Sequence, residues 1–180
     1  LTSYAVQFAI VIWLSLEYQS AEVLAYAGIA GMLPQAIIGP LAGVYIDRTN
    51  RKRIMILSDT FIAVCAIVLI FILNKETVNL VWIYIMLGLR SVGNAFHSPA
   101  LQALAPLIVP KKELLRVAGI NQMLHSICSI GGPALGTVAI AILPISNVLY
   151  LDLIGALLAI SSLMMVRIPQ TIKGSKFSVQ

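Results

Sequence analysis

Charge is what this sequence has least of. Its 180 residues include seven acidic and twelve basic side chains, 11% together, where a soluble domain carries about 25%. Hydrophobic residues make up 59%, and the mean hydropathy is +0.96. A soluble fold so poor in charge would leave broad apolar surface in water, which argues against a soluble enzyme, a disordered chain and a nucleic-acid binder. Cysteine is nearly missing as well. Cys65 and Cys128 both sit inside apolar stretches; they are too few for a disulfide framework, lack metal-ligand spacing and read as small core residues. No basic stretch followed by a small-residue cleavage site opens the chain, so no secretory signal is read. The first residue is Leu1 rather than Met, and a start upstream of it is expected. H-E-x-x-H, G-x-S-x-G and the Walker loop are all absent, so the reading is not an enzyme and not an ATP-driven pump. The period-2 alternation of porin strands is absent too. An all-α, polytopic membrane protein is what remains.

Six apolar runs carry that reading: 1–16, 23–46, 54–73, 80–109, 114–143 and 148–166. A helix needs about 20 residues to cross a hydrocarbon core of ~30 Å. Runs two to six meet that length, and the fourth and fifth exceed it, so they must tilt, bend or project. The basic residues are sorted between the loops. Arg48, Arg51, Lys52 and Arg53 follow the second run; Lys111, Lys112 and Arg116 lie around the start of the fifth; Arg167, Lys173 and Lys176 follow the sixth. Lys75 is on the opposite side and Arg90 lies within the fourth run. By the positive-inside rule, both ends of a six-helix unit at 1–167 face the cytoplasm of an inner-membrane protein, and 168–180 begins a cytoplasmic linker. A Gly-Pro echo joins Gly39-Pro40 in the second run to Gly132-Pro133 in the fifth. Chance and a 3+3 inverted repeat both account for it.

The densest motif runs from Gly43 through Asp47-Arg48-Thr49-Asn50 to Arg51-Lys52-Arg53. Gly43 is expected to admit a neighbouring backbone, Asp47 to pair with a basic side chain or cap a helix, and the arginine forks to bridge an interface. A plain basic loop would explain the charges but not Gly43 four residues before Asp47. The segment resembles the loop between helices two and three of the major facilitator superfamily. Gly131-Gly132-Pro133-Ala134-Leu135-Gly136 resembles the G-P-x-x-G motif of that superfamily's antiporters, and Arg90 stands at the place of its intramembrane arginine. Residues 37–40, 90–100 and 166–169 resemble the macrolide-efflux branch in particular.

The resemblance implies the N-terminal half of a twelve-helix secondary transporter, whose substrate path is completed by a C-terminal half or a second copy. It implies alternating access, no cofactor, and a proton gradient as driving force for antiport of an amphiphilic, macrolide-like drug. The chain would then be an antibiotic-resistance efflux protein. Siderophores or other small molecules are the alternative cargo, and a non-transporting, truncated membrane component is the alternative class.

Ionisable groups in a bilayer core need a partner or a use. Arg90 lies ten residues past Leu80, about 15 Å along a helix, with Asn94 and His97 following on one stripe. The resemblance turns that stripe, with Gln7 of the first helix, toward a central substrate cavity; an arginine locked to carbonyls is the structural alternative. His125 reads first as a packing histidine and second as a proton carrier. Gly132, Pro133 and Gly136 permit close helix contact and a bend, and the resemblance places that contact against the other half. Asp59 is expected to partner the basic-loop arginines. Asp152 is expected near the outer face, on a peripheral helix. Both are candidates, with His125, for proton coupling.

Overall fold

The computed structural model describes residues 2–75 and 78–165, with backbone only at 105–108 and 111. The expected linker at 168–180, the basic residues Arg167, Lys173 and Lys176, and the 166–169 stretch lie outside the described residues. Six α-helices account for nearly everything described: α1 Thr2–Tyr18, α2 Ala21–Asp47, α3 Arg51–Leu73, α4 Leu80–Ile108, α5 Leu114–Ile142 and α6 Ile145–Met165. A 3-10 turn at Lys111–Glu113 leads into α5.

Polar residues set the helix starts. Ser20 accepts the Val23 N–H at 3.4 Å and caps α2. Asn50 accepts the Arg53 N–H at 3.3 Å and caps α3, so α3 begins before the apolar run at 54. Asn79 accepts the Val81 N–H at 2.9 Å ahead of α4. The Pro144 carbonyl takes the N–H groups of Asn147 and Val148, starting α6 before the run at 148. Each cap answers backbone donors that have no partner within the helix.

Four helices, α2, α3, α5 and α6, are long and apolar enough to cross a membrane. α1 has 17 described residues, one turn short of a comfortable crossing. In α4 the apolar sequence is diluted by Arg90, Asn94 and His97. Large apolar side chains are exposed along the bundle's flanks, among them Met32, Leu41, Leu57, Phe71 and Ile130. Helices apolar nearly all round suit lipid rather than water.

The core divides in two. One apolar cluster joins the end of α1 to the start of α2, the end of α3 and the starts of α4 and α6, around Leu14, Ala27, Leu69, Leu87 and Leu149. The second joins the end of α2, the start of α3 and the end of α4, around Ile46, Met55, Ala100 and Leu104. Successive helices therefore alternate in direction. The buried polar and charged side chains, Ser58, Arg90, Ser91 and Asp152, come from the stretch between the clusters. The main packing partners are α2 with α4, α3 with α4, α1 with α5, and α6 with both α3 and α1.

Pro34 shapes the α2–α4 contact. Its ring disturbs the helical hydrogen bonds around it, and the Gln35 N–H donates to Ser91 Oγ on α4 at 3.1 Å. Gly88, one turn before, leaves the space in which Pro34 and the Ala30 carbonyl come close.

Candidate functional site

At the centre is an ion pair. Arg90 Nη1 of α4 stands 2.6 Å from Asp152 Oδ2 of α6, with side chains 1% and 3% exposed. Asp152 Oδ1 also accepts a hydrogen bond from Ser3 Oγ of α1 at 2.9 Å, so three helices meet on one carboxylate. The pair is close but misaligned: Nη1 and Oδ2 make no hydrogen bond by geometry, and Arg90 Nε has no hydrogen-bond partner among the described residues. Asp152, expected near the outer face on a peripheral helix, is buried against an arginine, and Arg90, expected on a cavity wall, is sealed inside the bundle of the described residues.

Two turns further along α4, His97 Nε2 is 3.3 Å from Asp59 Oδ1 of α3. Among the described residues, Asp59 thus pairs with the histidine of the stripe, not with the basic-loop arginines, and its Oδ2 is buried without a hydrogen-bond partner. Gly93 lies between the two pairs, close against Ile62 of α3. Helical spacing turns Arg90, Gly93 and His97 toward α3 and α6, which explains why the stripe closes inward. Asn94 is half-buried. Gln7 is half-buried too, its amide resting against Gly31 of α2, where a Cβ would meet Nε2 at 2.6 Å.

A third polar pair stands on an exposed face. Tyr4 Oη and His125 Nε2 are 2.9 Å apart, with rings edge to face at 5.8 Å. Below it α5 closes on α1. A Cβ at Gly132 would lie 2.6 Å from Tyr4 Cβ, and one at Gly136 would run into the Ala5 carbonyl oxygen. In the described structure these two glycines pack α5 against α1 of the same unit. Gly131 has open space around it, and the Pro133 carbonyl accepts the Thr137 hydroxyl at 2.9 Å.

At the end of the bundle carrying the α2–α3 loop, Asp47 Oδ1 meets Arg51 Nη2 at 3.5 Å. Lys52 Nζ donates to the Met164 carbonyl at the end of α6, at 3.3 Å. Arg48 and Arg53 are exposed. Among the described residues, no heavy atom comes within 4 Å of a Cβ built on Gly43. Beside this loop is a cleft of ≈ 350 Å³ between α2, α3 and α4, lined by Tyr45, Arg53, Leu57, Phe61, Val92 and Phe96. A second hollow of ≈ 540 Å³ continues along α2 past Ile38 and Leu41. The rings of Tyr45 and Phe96, edge to face at 6.4 Å, border both.

Sequence reasoning missed Ser3, Tyr4, Tyr45 and Ser91. The first two make contacts more than a hundred residues away in sequence, which periodicity does not reveal. Ser91 had a signal: Pro34 disturbs the hydrogen bonding of its own helix, and a hydroxyl on a neighbouring helix is a natural acceptor.

The profile of the Major Facilitator Superfamily matches residues 1–180. The chain is 38% identical over 170 residues to Macrolide efflux protein A of Streptococcus pyogenes, covering 94% of this chain and 42% of that protein. It is 38% identical over 151 residues to the protein of the same name from Enterococcus faecalis, covering 84% and 46%. The uncharacterized MFS-type transporter YkuC of Bacillus subtilis is 30% identical over 138 residues, covering 77% and 32%. The chain thus spans less than half the length of the relatives it matches. No solved structure matches it significantly.

Proposed function

This chain belongs to the Major Facilitator Superfamily of membrane transporters, and on that premise we propose that it is part of a secondary exporter of macrolide-like amphiphiles. Transport runs by alternating access, with protons entering in exchange for drug. The observation that carries the cargo is the 38% identity to macrolide efflux proteins of two species over most of the chain. The six helices work as a 3+3 inverted repeat in the inner membrane, both ends cytoplasmic. In support, exchanging α1 with α4, α2 with α5 and α3 with α6 turns each principal helix contact into another: α2–α4 into α5–α1, α3–α4 into α6–α1, and α3–α6 into itself.

Drug binds against apolar walls with a few polar contacts. Gln7, Asn94 and His97 are half-buried and within reach of small rearrangements; Arg90 reaches cargo only in a state where α4 and α6 part. The loop carrying Gly43, Asp47, Arg48, Arg51, Lys52 and Arg53 is the cytoplasmic latch, and Gly131, Gly132, Pro133 and Gly136 set the path of α5. The remainder of the cavity comes from a second six-helix unit.

The test is accumulation of labelled macrolide in bacteria expressing the full-length protein, with and without a protonophore. Lower accumulation that the protonophore restores is the expected result. Unchanged accumulation, with the protein present in the membrane, overturns the macrolide reading; siderophores and other amphiphiles are then the cargo to try.

A further inference from the structure

We infer that the cleft between α2, α3 and α4 holds an anionic phospholipid, its phosphate on Arg53 and an acyl chain against the apolar wall beneath. The site needs the membrane placement of these helices but not the cargo proposed above. Charge stands at its mouth and apolar surface below. Arg53 is the third residue of α3, a helix long and apolar enough to cross a membrane, so its guanidinium belongs at headgroup level. Leu57, Phe61, Val92 and Phe96 line the wall.

Depth and volume fit one leaflet. Phe61 lies eight residues beyond Arg53, about 12 Å at helical rise, which is less than half of a ~30 Å hydrocarbon core. The cleft therefore reaches into one leaflet and offers no path across the membrane. Its ≈ 350 Å³ continues at Tyr45 and Phe96 into the hollow of ≈ 540 Å³ along α2, and both volumes fall in the roughly 300–1,000 Å³ of small-molecule sites. Entry is from the side: Leu41, Tyr45, Leu57 and Phe61 are all exposed, on a bundle whose exposed flanks suit lipid.

The mouth selects the sign of the headgroup. Among the described residues, the Arg53 guanidinium has no carboxylate partner: only its backbone N–H is engaged, by Asn50, and the nearby Asp47 is taken by Arg51 at 3.5 Å. The Thr49 hydroxyl is spent on the Tyr45 carbonyl at 2.9 Å. Arg53 is thus the open donor, and its planar fork suits a phosphate diester through two parallel N–H bonds. Arg48, exposed at the end of α2, adds positive charge, so a cationic amphiphile would meet like charge here. Membrane topology asks for a basic loop on this side, but not for an apolar cleft beneath one of its arginines. A basic pocket between transmembrane helices is a recognised seat for anionic headgroups.

Native mass spectrometry of the delipidated full-length protein in detergent tests this. The probe is dioleoyl phosphatidylglycerol; dioleoyl phosphatidylcholine, with the same chains and a zwitterionic head, is the comparison. The wild type is expected to retain phosphatidylglycerol more tightly. Arg53→Gln should weaken it about fivefold, the effect of one arginine beside anionic lipid, and leave phosphatidylcholine unchanged. Arg116→Gln removes another exposed basic side chain at the same end of the bundle and should bind as the wild type does. Val92→Phe, which narrows the cleft, should weaken phosphatidylglycerol with Arg53 in place. Glycerol 3-phosphate, which has no chains, should not be retained, and this arm tests the apolar contribution even where Val92→Phe fails to fold. Equal retention of the two lipids, or wild-type binding by Arg53→Gln, overturns the site. An equal loss in Arg116→Gln overturns it in favour of diffuse surface charge, and tight retention of glycerol 3-phosphate in favour of a free-anion site. Displacement of the lipid by erythromycin, whose amine is protonated at neutral pH, overturns it in favour of a cargo subsite.

Discussion

Two of the arginine–carboxylate pairs, Arg90–Asp152 and Asp47–Arg51, use the same chemistry in opposite surroundings. The first is almost completely buried. In the second, the arginine side chain is 22% exposed and the aspartate 71%, at 3.5 Å and one helical turn apart. Water screens the loop pair, and such contacts contribute about 0–1 kcal/mol. The interior pair interacts strongly, but only against a large cost of removing both charges from solvent. Rearranging the loop charges therefore costs little, whereas parting the interior charges costs much.

Breaking the interior pair has the largest expected effect. Arg90→Ala or Asp152→Ala strands a buried charge and should cost about 3–5 kcal/mol, read as a lower thermal midpoint of the detergent-solubilised protein. Arg90→Met with Asp152→Leu should recover most of that loss, because an apolar pair of similar volume removes the desolvation cost as well. A double variant as unstable as the single ones would mean that the pair itself supplies net stability.

Next in size are the glycines of α5, which sharpen the contrast between interior and surface on one helix turn. Gly132→Val drives a side chain into Tyr4 and Ala5 of α1 and should cost about 1–3 kcal/mol by overpacking. Gly131→Ala points into open space and should be neutral or gain up to about 1 kcal/mol in helix propensity. Thermal melts of the two variants check the difference. A folded Gly131→Ala protein that no longer transports drug would show that this face is used by the rest of the transporter.

The sequence made the helical architecture and the family legible, because apolar runs and the Gly43, Asp47-Arg48 and Asn50 spacing are local signals. It also made the interior charges visible, since Arg90, Asp59 and Asp152 stand out among apolar neighbours. Their pairing was not legible. Depth along a helix can be counted at 1.5 Å per residue, but which neighbour a given face meets depends on contacts such as Ser3 with Asp152, 149 residues apart. Counted in this way, Asp59 falls within reach of the basic loops, while the antiparallel packing of α3 on α4 gives it His97. Gly132 and Gly136 announced a close contact but not its partner, which is α1.

Smaller than these is the cap of α3. Asn50→Ala removes the acceptor of the Arg53 N–H and should cost about 1 kcal/mol, whereas Asn50→Asp keeps that acceptor and should stay near wild type. The same melts distinguish them.

The smallest effect on stability belongs to Asp47→Asn. The contact to Arg51 is long and exposed, so the thermal midpoint should move by less than about 0.5 kcal/mol in equivalent stability. The expectation for transport is different. Lys52 already ties this loop to the Met164 carbonyl of α6, and Arg48 and Arg53 lie exposed beside it, so under the proposed alternating access one lost negative charge should alter how the basic group is held. Asp47→Asn should therefore slow protonophore-sensitive efflux while leaving binding of labelled macrolide unchanged, because a latch shifts the balance between conformations without forming the drug site. Unchanged efflux rates would remove the latch role from Asp47 and reduce the loop to the basic surface that membrane topology alone requires.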